Sequence, residues 1–227
     1  MCIAAGATKA GGGGLATSAV DQNGSTIDLT DMPLQYGKDD SALSPAQRNA
    51  IEDFEKRRQT AKVEYAKILD ANGNPTMPEK SGGKGGVRTT MSDWYNGEVM
   101  SHNHPRSESS NVLGGTFSYD DLNTFTMVKA KTMRAAASEG TYSITKGKNF
   151  NASGFKNYAA EIENKHYGDY KKTAKSLGKQ LKTGSITYNE YLNQNNKAFN
   201  KMLVDSHNEL LAGQKKYGYN YTLERRK

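Results

Sequence analysis

The segment that most constrains this chain runs from Met100 to Leu122, reading MSHNHPRSESSNVLGGTFSYDDL. Two of the four histidines in the whole sequence, His102 and His104, stand one residue apart in it. On a strand spanning Glu98 to His104, side chains at i and i+2 share a face, which would place the two imidazoles side by side with Cα atoms about 6–7 Å apart. Pro105 ends such a strand because it has no N–H to give to a ladder. Ser118 followed by Tyr119, Asp120 and Asp121 reads as a helix start. Ser118 is the N-cap and Asp121 a first-turn carboxylate, favoured there by the helix dipole. Between the two, Gly114-Gly115 lets the chain turn back sharply.

Two imidazoles and a carboxylate are a donor set for a divalent transition metal, and zinc held this way keeps a position open for water. Such a site also needs a proton acceptor. A strand expected from Ala61 to Leu69 carries one carboxylate, Glu64, and leads through an Asn72-Gly73-Asn74 turn into a second strand. Glu98 is nearer in sequence, but four strand residues separate it from His102, about 13 Å.

His102-Asn103-His104-Pro105 with Ser118-x-x-Asp121 resembles the signature of JAMM metalloproteases. Its wording is similar to bacterial and phage forms, including JAB-like domains of phage structural proteins and RadC-like proteins. The resemblance covers about 100 residues. It implies zinc on His102, His104 and Asp121, Glu64 working on water, and Ser118 hydrogen-bonding the oxyanion. It also implies a zinc-dependent hydrolase of peptide or isopeptide bonds with a protein or peptide substrate, in the context of phage particle assembly or maturation, where phage structural proteins would be partners. Two other readings stand beside it: an inactive structural or binding protein of the virion, and a metal-dependent nucleic-acid-processing factor. Residues 106–113 form an insert relative to the family pattern.

The rest of the chain frames this segment. Ser44-Pro45-Ala46-Gln47 is a capping box with Pro at the first helical position, and a helix should run to about Gln59 with Ile51 and Phe54 inward. A short strand is expected over Val87 to Met91, and Trp94 is expected in the core. A helix from Tyr119 is expected to continue to about Gly140, followed by a strand over Thr141 to Thr145. The order predicts an α+β domain over 44–150, and the resemblance implies for it a mixed sheet flanked by helices of the JAMM and cytidine-deaminase-like kind. Residues 1–43 read as a Gly-rich N-terminal segment, and 151–227 as a basic helical C-terminal region with helices over Phe155 to Leu177 and Thr187 to Gly213. Tyr217, Tyr219 and Tyr221 with Arg225-Arg226-Lys227 read as a Tyr- and Lys/Arg-rich tail, and His166 and His207 as surface residues.

Composition narrows the partners. The net charge of +7 lies wholly in the last third. Residues 156–227 hold 14 Lys and Arg against 7 Asp and Glu, while residues 1–155 hold 17 of each. That asymmetry suits nucleic acid, through phosphate charge and base stacking on the tyrosines, with a solvated lysine face or helices docked onto a larger assembly as the alternatives. The single cysteine, Cys2, excludes disulfides within the chain and a Cys-rich zinc site. No run of eighteen apolar residues exists, so no membrane span is expected. The N-terminus lacks the layout of a signal peptide, which points to a cytoplasmic protein that could later enter a particle.

Overall fold

The computed structural model describes residues 14–21, 24–38, 43–83, 86–105 and 111–225. Its centre is a six-stranded mixed sheet in the order β10-β9-β8-β7-β5-β6. The members are β5 (Tyr65–Leu69), β6 (Lys80–Ser81), β7 (Val99–Asn103), β8 (Thr132–Ala136), β9 (Gly140–Lys146) and β10 (Tyr219–Arg225). Only β7 and β8 run parallel, joined through α2 (Tyr119–Met127); every other pairing is antiparallel. Before the sheet, β1 (Leu15–Ala16) pairs with β4 (Leu34–Gln35) and β2 (Ser18–Val20) with β3 (Thr26–Asp28). These short ribbons place Leu29 and Leu34, both fully buried, in the main core.

The two faces of the sheet differ in chemistry. Helix α1 (Pro45–Arg58) begins with the expected capping box at Ser44 and Gln47, and it packs on β5 and β7. Beneath it lies a buried ion pair: Arg134 Nε and Nη2 donate to Glu55 at 2.7 and 3.0 Å, and Ser101 Oγ donates to the same carboxylate at 2.8 Å. The opposite face, carrying His102, Ala135 and Tyr142 in register, is apolar. It is covered by side chains of α2, α3 (Ala152–Ile162) and α5 (Tyr188–Tyr217), among them Phe125, Phe155, Val204 and Leu210. A π-helical turn (Glu163–Tyr167) joins α3 to α4 (Gly168–Lys182), so the chain stays helical from Ala152 to Lys182.

Several expectations change. The helix begun at Tyr119 stops at Met127 rather than near Gly140, because Val128 turns to extended backbone. Thr132 to Ala136 then form a central strand buried on both faces, where helix-forming residues such as Met133, Arg134 and Ala135 yield to the ladders on either side. Val87 to Met91 is not a strand. Within the expected tail, Tyr219, Tyr221 and Leu223 alternate inward along β10 and are buried. Arg226 and Lys227 lie outside the described residues. His166 and His207 are buried, not on the surface. His207 lies between the Tyr221 hydroxyl at 2.9 Å and the Gln35 carbonyl at 3.0 Å, and His166 faces Asp205 and Glu209. Trp94 is in the core. Among the described residues, no helix is long and apolar enough to cross a membrane.

Candidate metal centre

Strand β7 ends where its chemistry begins. His102 is fully buried on the apolar face with Phe117 against its ring. His104 continues the strand direction by donating its N–H to the Ala136 carbonyl at 2.9 Å. The two Nε2 atoms are 3.2 Å apart. Helix α2 delivers the third group: Asp121 Oδ1 lies 3.5 Å from His102 Nε2, and Oδ2 lies 4.0 Å from His104 Nε2. One ligand atom from each residue falls within 4.8 Å of the other two, so the three form a group able to hold a metal ion. Two local rules prepare the parts, the strand period for the histidines and the helix cap for Asp121, and the path from β7 into α2 brings them together.

The candidate ligands are oriented from behind. His104 Nδ1 sits 2.8 Å from the Gly115 carbonyl oxygen and 3.2 Å from that of Gly114. Carbonyls only accept, so Nδ1 carries the proton and the Nε2 lone pair points to the cluster. The turn that offers these carbonyls has Gly115 at φ +86°, a left-handed position that glycine occupies without strain. Glu139 anchors the turn: its carboxylate accepts the N–H groups of Gly114 at 2.9 Å and Gly115 at 2.8 Å, the Ser138 hydroxyl at 2.8 Å and the Tyr142 hydroxyl at 2.6 Å. Asp121 is fixed by its cap, since Oδ2 accepts the Ser118 N–H at 2.8 Å and the Ser118 hydroxyl at 2.7 Å. By contrast, His102 Nδ1 is enclosed and has no hydrogen-bond partner among the described residues.

Electrostatics follow from this packing. Burial pushes the His102 imidazole toward neutrality, but the carboxylates of Asp121, Glu64 and Glu55 outweigh it and raise its pKa. Burial and the neighbouring His102 lower that of His104. Burial alone would raise Asp121, yet the two histidines and the Ser118 hydrogen bond hold it far below the usual carboxylate range. Two imidazole nitrogens and a carboxylate converging on one point suit a positive charge between them, and this donor set fits zinc or a similar ion.

Glu64 lies immediately before β5 rather than within it. Its backbone is nevertheless paired, donating to the Gly83 carbonyl and accepting from Gly82. Its side chain lines the same cleft as His104, Ser118 and Asp121, a cavity of about 600 Å³ bordered also by Val87, Arg88 and Thr89. Burial raises the Glu64 pKa; the charge of Asp121 raises it too, while His102 and the Val87 N–H oppose the shift. Its placement comes from a residue with no signature of its own in the sequence. Asn103, between the histidines but pointing to the other face, accepts the Tyr65 N–H at 2.8 Å and donates to the Val63 carbonyl at 3.2 Å. Those two bonds bracket Glu64 on both sides. Glu98 is directed elsewhere, pairing with Lys131 at 2.8 Å.

The expected insert at 106–113 falls largely outside the described residues. Of its described part, Leu113 donates its N–H to the Asn200 side chain at 2.9 Å, tying the segment to α5. Comparison of the chain with family models, with curated proteins and with solved structures finds no match. The geometry of the chain itself therefore carries the functional reading.

Proposed function

We propose that the chain is a zinc-dependent hydrolase of peptide or isopeptide bonds, as its resemblance to JAMM metalloproteases implies. One observation carries the proposal: His102, His104 and Asp121 converge beside a cleft, lined by His104 and Asp121, that also holds the buried Glu64. His102, His104 and Asp121 would hold the ion, which when bound supplies Lewis acidity and lowers the pKa of water toward neutrality.

Glu64 is the proton acceptor. Its raised pKa brings it closer to the range where a carboxylate both takes a proton from water and returns it to a leaving amine. Asn103 keeps that carboxylate in place through the backbone on either side of it. Ser118 holds Asp121 with its hydroxyl proton, so it orients a ligand in this state. A turn of the same hydroxyl toward the cleft would let it donate to a developing oxyanion.

The test uses the zinc-loaded full chain with fluorogenic peptides and with isopeptide-linked Lys substrates. Wild type should cleave at least one class. Glu64→Gln should retain zinc and lose on the order of 10²-fold or more in kcat, the usual worth of a positioned acid-base group. Full activity in Glu64→Gln refutes the assignment. Absence of cleavage by zinc-loaded wild type favours the structural reading of the same fold.

A further inference from the structure

We propose that the outward face of α4 is a binding surface for the phosphate backbone of a nucleic-acid duplex, separate from the metal cleft. Helix α4 carries Lys171, Lys175, Lys179 and Lys182, all exposed. At about 100° per residue they fall within an arc of about 80°, and at about 1.5 Å per residue the row is about 16 Å long. Successive charges along the row are about 4.5–6 Å apart, a spacing that lets each amine reach a separate phosphate of one groove wall.

These four, like the exposed Lys156, Lys215 and Lys216, are outside the ion pairs that hold the other lysines of the region, and they alone of these form a row along one helix; the Glu163 charge is felt only at the Lys171 end of it. Lys165 is held by Glu209 at 2.6 Å, Lys172 by Asp169 at 2.9 Å, Lys197 by Asp31 at 3.0 Å and Lys201 by Asp205 at 2.7 Å. Among the described residues, none of the four row lysines has a carboxylate within ion-pair distance. Lys171 instead lies 4.6 Å from the centre of the Tyr167 ring. Of the five lysines of α4 only Lys172 is held in an ion pair, which leaves one helix edge positive, the electrostatic footprint of polyanion binding.

The rest of the helix decides between polyanions. A membrane-surface helix needs its apolar face free to enter lipid, but the apolar face of α4 is already spent on α5. Leu177 is buried there, and the Tyr170 ring meets Phe199 at 5.3 Å. The exposed Tyr167 is stacked on Tyr170 and overlaid by Lys171, so it offers no open ring for an unpaired base. That leaves a row of point charges without a stacking platform, the chemistry of sequence-independent backbone contact to a duplex.

The experiment is fluorescence anisotropy of the full chain with a labelled DNA duplex and an RNA duplex of the same sequence, between 50 and 200 mM salt. Four phosphate contacts predict a log–log salt slope of about 3.6, hence a loss of roughly 100-fold in affinity over that range. The variant K175Q/K179Q/K182Q, altered only at exposed positions and checked by circular dichroism, should keep one contact and lose only about three- to fourfold. K197Q/K201Q, which removes lysines already paired, should keep the wild-type slope. Binding of either duplex with these slopes supports the proposal, the preferred one telling which nucleic acid is the partner. A wild-type slope in the triple variant, no binding at 50 mM salt, or equal binding of anionic vesicles or polyglutamate would overturn it.

Discussion

Glu139→Gln tests the chain of contacts that aims His104. The Glu139 carboxylate accepts four hydrogen bonds, two at each oxygen: Gly115 N–H and the Tyr142 hydroxyl on one, Gly114 N–H and the Ser138 hydroxyl on the other. Glutamine has one acceptor oxygen. Whichever way its amide sits, an NH₂ group faces one oxygen's partners. A hydroxyl rotates to accept from that NH₂, but a backbone N–H does not. The Gly114 N–H keeps a second acceptor in the Ser138 hydroxyl at 3.1 Å, so the loss reaches at most one Gly115 N–H left against a donor, about 1.5–3 kcal/mol for a bond to a charged acceptor. For a chain of this size that corresponds to a fall in Tm of about 3–12 °C. The same turn supplies both carbonyls that take the His104 Nδ1 proton, so zinc affinity should drop about 10- to 100-fold, the usual effect of disturbing the groups behind a ligand. Competition with a chromogenic chelator measures the affinity, and a thermal melt of the same sample measures stability. Wild-type zinc affinity in Glu139→Gln, with His104→Ala defective beside it, would refute the proposed role of the turn.

Three further outcomes are expected. Asn103→Ala removes both bonds that bracket Glu64; zinc content should stay at the wild-type level while kcat falls about tenfold or more, and an unchanged kcat would separate Asn103 from the glutamate's placement. Arg134→Met leaves Glu55 buried without its partner and should cost about 3–5 kcal/mol, whereas Arg134→Met with Glu55→Leu should recover much of it; denaturant unfolding that shows no recovery would contradict the pairing. His207 is buried and its pKa is depressed from 6.5 to about 4, so between those values the unfolded chain binds a proton that the folded chain does not. Stability should fall as pH drops from 6.5 to 4, by up to about 3 kcal/mol, and the difference from His207→Gln over that window isolates the contribution, a constant difference being the contrary result.

The two halves of the centre are legible because local rules govern them, and the family resemblance is what joins them. His102 and His104 share a strand face, and Ser118 with Asp121 forms a helix cap; each relation spans four residues or fewer. What lay beyond reach depends on partners distant in sequence. Nothing in Ser138-Glu139 announces that this carboxylate anchors Gly114 and Gly115, and Asn103 gains its meaning only once β5 lies beside β7. Strand β8 looked helical because Met133 to Ala136 have helical preferences and, buried on both faces, show no alternation. Two other signals were present and passed over. Tyr219, Tyr221 and Leu223 alternate with polar residues as a half-buried strand does. His207 stands three residues from both Val204 and Leu210, on the inward stripe of α5. The charges of the C-terminal stretch mark it as a tail, whereas its tyrosines close the core.

The most direct test of the account is metal analysis of the purified chain after chelator stripping and reloading with zinc. Wild type and Glu64→Gln should each hold about one ion per chain, and His104→Ala and Asp121→Ala should hold almost none. Equal trace zinc in all four proteins would contradict the metal centre, and with it the hydrolase built on it.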